Sequence, residues 1–333
     1  MEYQKYFDIS GEPPQKQFRQ PTPTTGGRNS ALGDRRDGQV YVYNDKIELA
    51  INVALATGRP MLVRGPSGSG KSSLARNIAA RLSWRYYEQV ITSRTQARDL
   101  LWVFDSLRRL GDAQARRLDK DPAHYIEPGV LWWAFDAASA GRRGRSEQNK
   151  DDTIREIKDP ADDPGIGPDN AGAVILLDEI DKADPDVPNN LLVPLGSFEF
   201  RVRETGASVA ATRPLLCIIT TNDERVLPTA FMRRCIVLEL EPPDEALLIK
   251  IAKEHYGPDK QNLYQPIAES VVKISTAAAS PVRGAAGQQP APSTAEYLDT
   301  VRACLDLGIS PVADDERWQV LTKATLAKRA SLT

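Results

Sequence analysis

The run Gly65-Pro66-Ser67-Gly68-Ser69-Gly70-Lys71-Ser72 satisfies the pattern G-x-x-x-x-G-K-[ST], with Ser73 directly behind it. Each residue type in it suits the holding of phosphate. Glycines let the backbone curl so that successive N–H groups and the N-terminus of a following helix face anionic oxygens. The Lys71 ammonium would neutralise the β and γ oxygens of a nucleotide such as ATP, and the Ser72 hydroxyl would ligate Mg²⁺.

Further along, Val174-Ile175-Leu176-Leu177 runs into Asp178-Glu179, two adjacent carboxylates at the end of an apolar stretch. Asp178 would hold the Mg²⁺ shell, and Glu179 could polarise an attacking water, a task Asp178 alone serves poorly. The pair points to hydrolysis rather than binding alone. Leu216 to Thr220 is a second such stretch and leads into Thr221-Asn222, which would put an amide beside the γ-phosphate and the water. Ala230-Phe231-Met232-Arg233-Arg234-Cys235 then offers two arginines before Ile236-Val237-Leu238. Taken alone, an Asn after a strand marks a turn and paired arginines mark a surface.

The elements that must position these groups follow from periodicity. Ile47, Leu49, Ala50, Val53, Ala54 and Ala56 recur at helical spacing ahead of Arg59-Pro60 and the short apolar run Met61-Leu62-Val63, so helix, turn and buried strand precede the glycine-rich turn. A helix over 71–82 follows it. Val174 to Leu177 and Leu215 to Ile219 read as buried parallel strands, and strands separated by helices imply an α/β sheet with ligands at its carboxyl edge. After Pro242-Pro243 the strands stop, and 245–255, 267–279, 294–305 and 316–328 each have helical composition.

The predicted organisation is a flexible N-terminal arm over 1–38, a nucleotide-binding α/β core over 39–241, and a helical domain over 242–333. Pro, Gly and charge without apolar periodicity mark the arm, and a dense mixture of Arg, Asp, Lys, Gly and Pro marks 141–170 as a charged surface loop. Ser280 to Pro292 is compositionally flexible.

Bulk composition excludes several classes. With 43 Lys and Arg against 45 Asp and Glu, nothing in the overall charge calls for nucleic acid. Three scattered cysteines and two histidines supply neither a disulfide framework nor a zinc pattern. No run of 18 apolar residues and no signal-like N-terminus occurs, so the expectation is a cytoplasmic protein without a membrane span.

Taken in order, the P-loop, the Asp178-Glu179 pair, Thr221-Asn222 and Arg233-Arg234 resemble an AAA+ ATPase, specifically the MoxR-like family, over about 40–310. Asp99-Leu100-Leu101-Trp102 through Glu127-Pro128-Gly129-Val130-Leu131-Trp132 looks like the helix-two insert of that clade, and Leu195 to Thr205 like its hairpin before sensor one. The resemblance implies an AAA+ core with a C-terminal helical lid. It makes Asn222 sensor one and Arg234 the finger reaching a neighbouring subunit's ATP, with Arg233 the second choice. It also places Tyr41 to Tyr43 beside the adenine.

An arginine supplied in trans makes hydrolysis depend on assembly, most simply a hexameric ring. The resemblance further implies remodelling of a protein client, such as a von Willebrand factor A domain protein or a metal-centre maturation client. Where relatives carry a sensor-two arginine this chain reads Pro292-Ser293-Thr294-Ala295, which leaves Arg283 or Arg302 as substitutes, each also readable as an ordinary exposed arginine. Trp132-Trp133 and Phe135 read as core packing or, failing that, a partner-binding tip. Two other functions stay open: an ATP-binding switch or scaffold with little turnover, and a GTP-using McrB-like nucleic-acid motor.

Overall fold

The computed structural model describes residues 3–10, 38, 40–145, 157–161, 172–278 and 291–327. The chain divides into two compact units. One comprises Met1–Gln39, Tyr43–Arg64 and Ser72–Glu239; the other comprises Val40–Val42, Gly65–Lys71 and Leu240–Thr333.

The first unit is built on a five-stranded sheet. Its strands are β1 (Met61–Arg64), β2 (Arg85–Val90), β5 (Ala173–Asp178), β8 (Leu215–Thr221) and β9 (Ile236–Glu239), in the order β2-β5-β8-β1-β9. Every neighbouring pair is parallel, with Leu62 opposite Ile219 and Leu177 opposite Ile219 from the other side. All six residues of β5 are buried, and all of β8 except its first. That explains their near-continuous apolar runs, since a parallel sheet is covered on both faces. Helices α1 (Asp45–Thr57) and α2 (Lys71–Leu82) accompany this sheet, the α/β arrangement expected from the sequence. Strand β2 is an addition to the sequence reading. Its Arg-Tyr-Tyr-Glu-Gln-Val run puts only Tyr87 in the core, the signature of an edge strand rather than an apolar one.

Two antiparallel strand pairs lie beside the sheet among the described residues. Strands β3 (Trp102–Phe104) and β4 (Ile126–Pro128) pair antiparallel around α3 (Ser106–Gln114). Strands β6 (Glu199–Arg201) and β7 (Ser208–Ala210) form the second. Phe200 joins them, stacked on Trp102 at 5.8 Å between centroids and edge-on to Trp132 at 5.7 Å. Trp132, Trp133 and Phe135, carried by α4 (Val130–Phe135), are buried, so of the two readings of this cluster the structure shows core packing. Helices α5 (Ala137–Gly141), α6 (Asp186–Ser197) and α7 (Thr229–Met232) follow in the same unit.

Two stretches read as loose carry defined contacts at their described residues. Within the N-terminal arm, Phe7 is 2% exposed. The Asn52 side chain on α1 accepts from the Tyr6 and Phe7 amides at 2.7 and 2.9 Å and donates to the Phe7 carbonyl at 2.8 Å. Lys5 pairs with the buried Glu48 at 2.9 Å. A lone aromatic and a lone Lys carry no periodicity, which is why composition alone hid this docking. Phe7→Ala is expected to remove about 3–5 kcal/mol of it, read as tryptic cleavage at Lys5 under native conditions where the parent chain resists; equal cleavage of both would contradict the anchor. Within the charged loop, Asp159 pairs with Arg85 and accepts from the Tyr87 hydroxyl at 3.1 Å, so 157–161 is tied to β2 rather than merely solvated. The remainder of 1–38 and of 141–170, apart from Gly38 and 141–145, lies outside the described residues.

Among its described residues the second unit holds four helices: α8 (Glu245–Tyr256), α9 (Tyr264–Ala278), α10 (Thr294–Leu307) and α11 (Glu316–Thr325). Their core gathers Leu248, Ile267, Tyr297, Val301, Cys304 and Trp318. Each start is set by a side chain. Asp244 caps α8, Asp259 accepts from the Leu263 and Tyr264 amides, and Ser293 with Glu296 forms a capping box on α10. The Asp259 contacts explain why α9 begins at Tyr264 and not at Ile267.

Candidate functional site

In the second unit the glycine-rich turn folds back on itself. Lys71 is 6% exposed, and its ammonium donates to the carbonyls of Gly65 and Pro66, both at 2.8 Å. Gly68 and Gly70 adopt φ of +74° and +87°, a backbone conformation that side chains bearing Cβ rarely enter. A Cβ on Gly68 would sit 2.3 Å from the Ser293 hydroxyl, and the Gly68 carbonyl accepts from the Ala295 amide at 3.3 Å. A Cβ on Gly70 would meet the Tyr41 ring at 3.4 Å. Burial pushes the Tyr41 phenol up, so it stays a neutral hydrogen-bonding group. The cradle is therefore bare backbone with a neighbouring aromatic face, a shape suited to phosphate oxygens.

Gly68→Ala is expected to raise the Kd for a fluorescent ATP analogue. The added methyl meets both a left-handed backbone and Ser293, and the loop relieves this by leaving the cradle, which binding must then restore. A strain of about 1–3 kcal/mol corresponds to about 5- to 150-fold in affinity. An unchanged Kd would mean that this turn does not form the binding surface.

In the first unit, Ser72 follows Lys71 directly in the chain. Its hydroxyl donates to Asp178, 2.9 Å from Oδ2 and 3.1 Å from Oδ1. Asp178 ends β5 and is 2% exposed; the Thr220 hydroxyl donates to its Oδ1 at 2.5 Å. The Glu179 amide donates in turn to Thr220 Oγ1 at 2.9 Å. Glu179 has φ of +63°, which turns the chain sharply off the strand. Its Oε2 accepts from Lys182 at 2.9 Å, and its Oε1 lies 3.4 Å from Asn222 Nδ2. That hydrogen bond holds the Lys182 ammonium above its ordinary pKa, so it stays charged beside the carboxylate.

The structure thus brings together Ser72, Asp178, Glu179 and Asn222. It leaves Arg233 and Arg234 outside that group. Both follow α7 (Thr229–Met232), are exposed, and take no part in its hydrogen bonds. Of the aromatic pair near the first helix, Tyr41 lies against Gly70, while the Tyr43 hydroxyl donates to Asn77 at 2.7 Å. Arg302 pairs with Asp306 at 2.6 Å, and Arg283 lies outside the described residues. Sequence reasoning passed over Thr220, Asp181 and Lys182. The available signal for Thr220 was its place at the end of a buried strand, two residues before Asn222.

Could Mg²⁺ fit here? The donor set of one hydroxyl and one carboxylate is hard oxygen, the kind Mg²⁺ takes alongside substrate phosphates. Among the described residues no group of three or more His, Cys, Asp or Glu could hold a metal ion. The fit is therefore to a metal brought with a phosphate ligand. Cys217 and Cys304 are buried thiols whose pKa burial raises, and Cys235 is pushed up to about 12, so all three are unreactive packing groups. No helix among the described residues is long and apolar enough to cross a membrane.

Comparison with known families gives a match. The model described as AAA domain, dynein-related subfamily, covers residues 60–235, a little over half of the chain. Among solved structures, a RuvB mutant of Thermotoga maritima is 16% identical, over 84% of this chain and 68% of that one, with a TM-score of 0.46. Domain III of the Thermotoga maritima replication initiation protein DnaA is 14% identical, over 89% and 99%, with a TM-score of 0.43. A putative ATPase from Cytophaga hutchinsonii is 14% identical, over 85% and 80%, at 0.38. No curated protein matches the chain.

Proposed function

The chain belongs to the AAA family, in its dynein-related subfamily, and on that premise we propose that it hydrolyses ATP to ADP and phosphate with Mg²⁺. The observation that carries this reading is the buried Asp178 bonded to Ser72 and Thr220, with Glu179 next in the chain and the Asn222 amide 3.4 Å from it. Lys71 and the backbone N–H groups of Gly65, Ser67, Gly68, Ser69 and Gly70 bind the phosphates, with Pro66, which has no N–H, shaping the turn and Ser73 continuing the helix behind them. Ser72 and Asp178 hold the metal, which when bound supplies charge neutralisation at the phosphate oxygens. Glu179 accepts a proton from the attacking water, and Asn222 orients both.

Arg234, or else Arg233, is exposed where a second copy could receive it, which supports a shared site in a homo-oligomeric ring, most simply a hexamer. The motif order supports a MoxR-like role in the cytoplasm. In that role, turnover remodels or matures a protein client, a von Willebrand factor A domain protein being the partner the resemblance names. Nucleic acid is not part of this reading, because the chain carries a net charge of −2. A second reading has one observation behind it. Both Glu179 oxygens are engaged, by Lys182 and Asn222, which favours an ATP-bound switch with little turnover.

Phosphate release from Mg-ATP, followed across protein concentration with GTP in parallel, separates these readings. The proposed enzyme shows activity per subunit that rises with concentration and prefers ATP. A bound but unhydrolysed ATP supports the switch, and a preference for GTP supports a McrB-like motor.

A further inference from the structure

Asp181 sits in the short turn Ile180–Lys182 behind Glu179 and is 2% exposed. Its Oδ2 accepts from the backbone amides of Asn222, at 3.2 Å, and Glu224, at 3.0 Å. Those amides bracket Asp223, whose φ is +58° and whose own amide donates to Thr221 Oγ1 at 2.9 Å. The Asp223 carboxylate is held from outside by Arg64 Nε at 3.0 Å. A non-glycine residue in the left-handed region persists only where its surroundings over-determine it. Here the turn after β8 is fastened at three consecutive amides, two of them by Asp181.

The second observation concerns the other oxygen. Asp181 Oδ1 is buried and has no hydrogen-bond partner. A buried carboxylate left half satisfied is a poor device for stability, since an apolar side chain of similar volume avoids the desolvation cost. What it does supply is placement. The backbone it grips carries Asn222, whose side-chain amide lies 3.4 Å from Glu179 Oε1. At that separation a shift of a few tenths of an ångström either completes or abolishes the bond.

From this we infer that Asp181 is a positioning residue for the reaction: it sets the Asn222 amide against Glu179 by holding the turn 222–224, and does so without touching nucleotide. The inference rests on the roles proposed above for Glu179 and Asn222. Its mark is a loss in kcat with KM for ATP retained, shared with Asn222 rather than added to it.

The test is a double-mutant cycle in the full chain, with steady-state Mg-ATP turnover and a thermal melt for each variant. Asp181→Ala is expected to lower kcat by about 10- to 100-fold and to leave KM within about twofold. In the Asn222→Ala background the same change is expected to do almost nothing further. Asp181→Asn keeps an acceptor oxygen for both amides and is expected to restore most of kcat, which a role in bulk stability would not predict. If Asp181→Ala does not fold, Asp181→Ser, too short to span both amides, takes its place in the cycle. Additive losses, or a loss confined to KM or to the melt, overturn the inference. So does an active Asp181→Ala when Asn222→Ala is impaired. A silent Asn222→Ala removes the underlying reading of that residue, and the inference falls with it.

Discussion

Glu179→Gln is expected to lower steady-state phosphate release from Mg-ATP by about 10²- to 10⁴-fold while ATP binding persists. The amide is nearly isosteric with the carboxylate and can still accept from Asn222, so the local geometry survives. What it cannot do is take a proton from water. The groups proposed to hold nucleotide and metal, namely the turn 65–71, Ser72 and Asp178, make their contacts independently of the Glu179 side chain. Binding and chemistry should therefore come apart. Titration of a fluorescent ATP analogue alongside phosphate release shows whether they do. Near-normal turnover in the Gln variant would mean that another group activates the water, whereas lost binding would mean that Glu179 holds the site together.

Arg234→Ala is expected to cost about 10³- to 10⁵-fold in kcat, with nucleotide affinity nearly unchanged, and Arg233→Ala much less. The reason is position. Both guanidinium groups are exposed after α7 and neither joins the group around Asp178 in its own chain, so a catalytic arginine here acts on a neighbour. Mixing makes the claim sharper. Arg234→Ala and Glu179→Gln subunits are each inactive alone, yet an interface with Glu179 on one side and Arg234 on the other is complete. A random equal mixture contains such interfaces at about one quarter of positions in a closed ring, so about that fraction of activity should return. No recovery on mixing, with oligomers formed, would place the two residues' roles in the same subunit or in none.

Most of the scaffold was legible. The buried parallel strands announced themselves as unbroken apolar runs, because covering both faces of a sheet leaves no alternation to obscure. The helix over 71–82 was read from its place behind the glycine-rich turn and the four after Pro243 from helical composition, while their caps, such as Asp244 and Ser293, emerged only in the structure. What escaped were features with no period. Edge strand β2 mixes charge with tyrosine, and Phe7 is a single aromatic in a polar arm. Asp159 is one acid among many in a stretch that composition assigns to solvent. Each finds its partner, β5, Asn52 or Arg85, many residues away, and long-range pairing writes nothing into the local pattern.

By itself the sequence determined the chemistry at each place: a glycine-rich turn that only glycine can form, a hydroxyl, two carboxylates and an amide at strand ends. Side-chain type and strand-end position are local properties, readable one segment at a time. Only the tertiary structure decided which of these meet. Register in the parallel sheet sets the end of β5 beside that of β8, so Asp178 receives both Ser72 and Thr220, and Asp181 reaches the turn that carries Asn222. Such meetings depend on distances across strands about 4.8 Å apart, and no spacing along the chain encodes them.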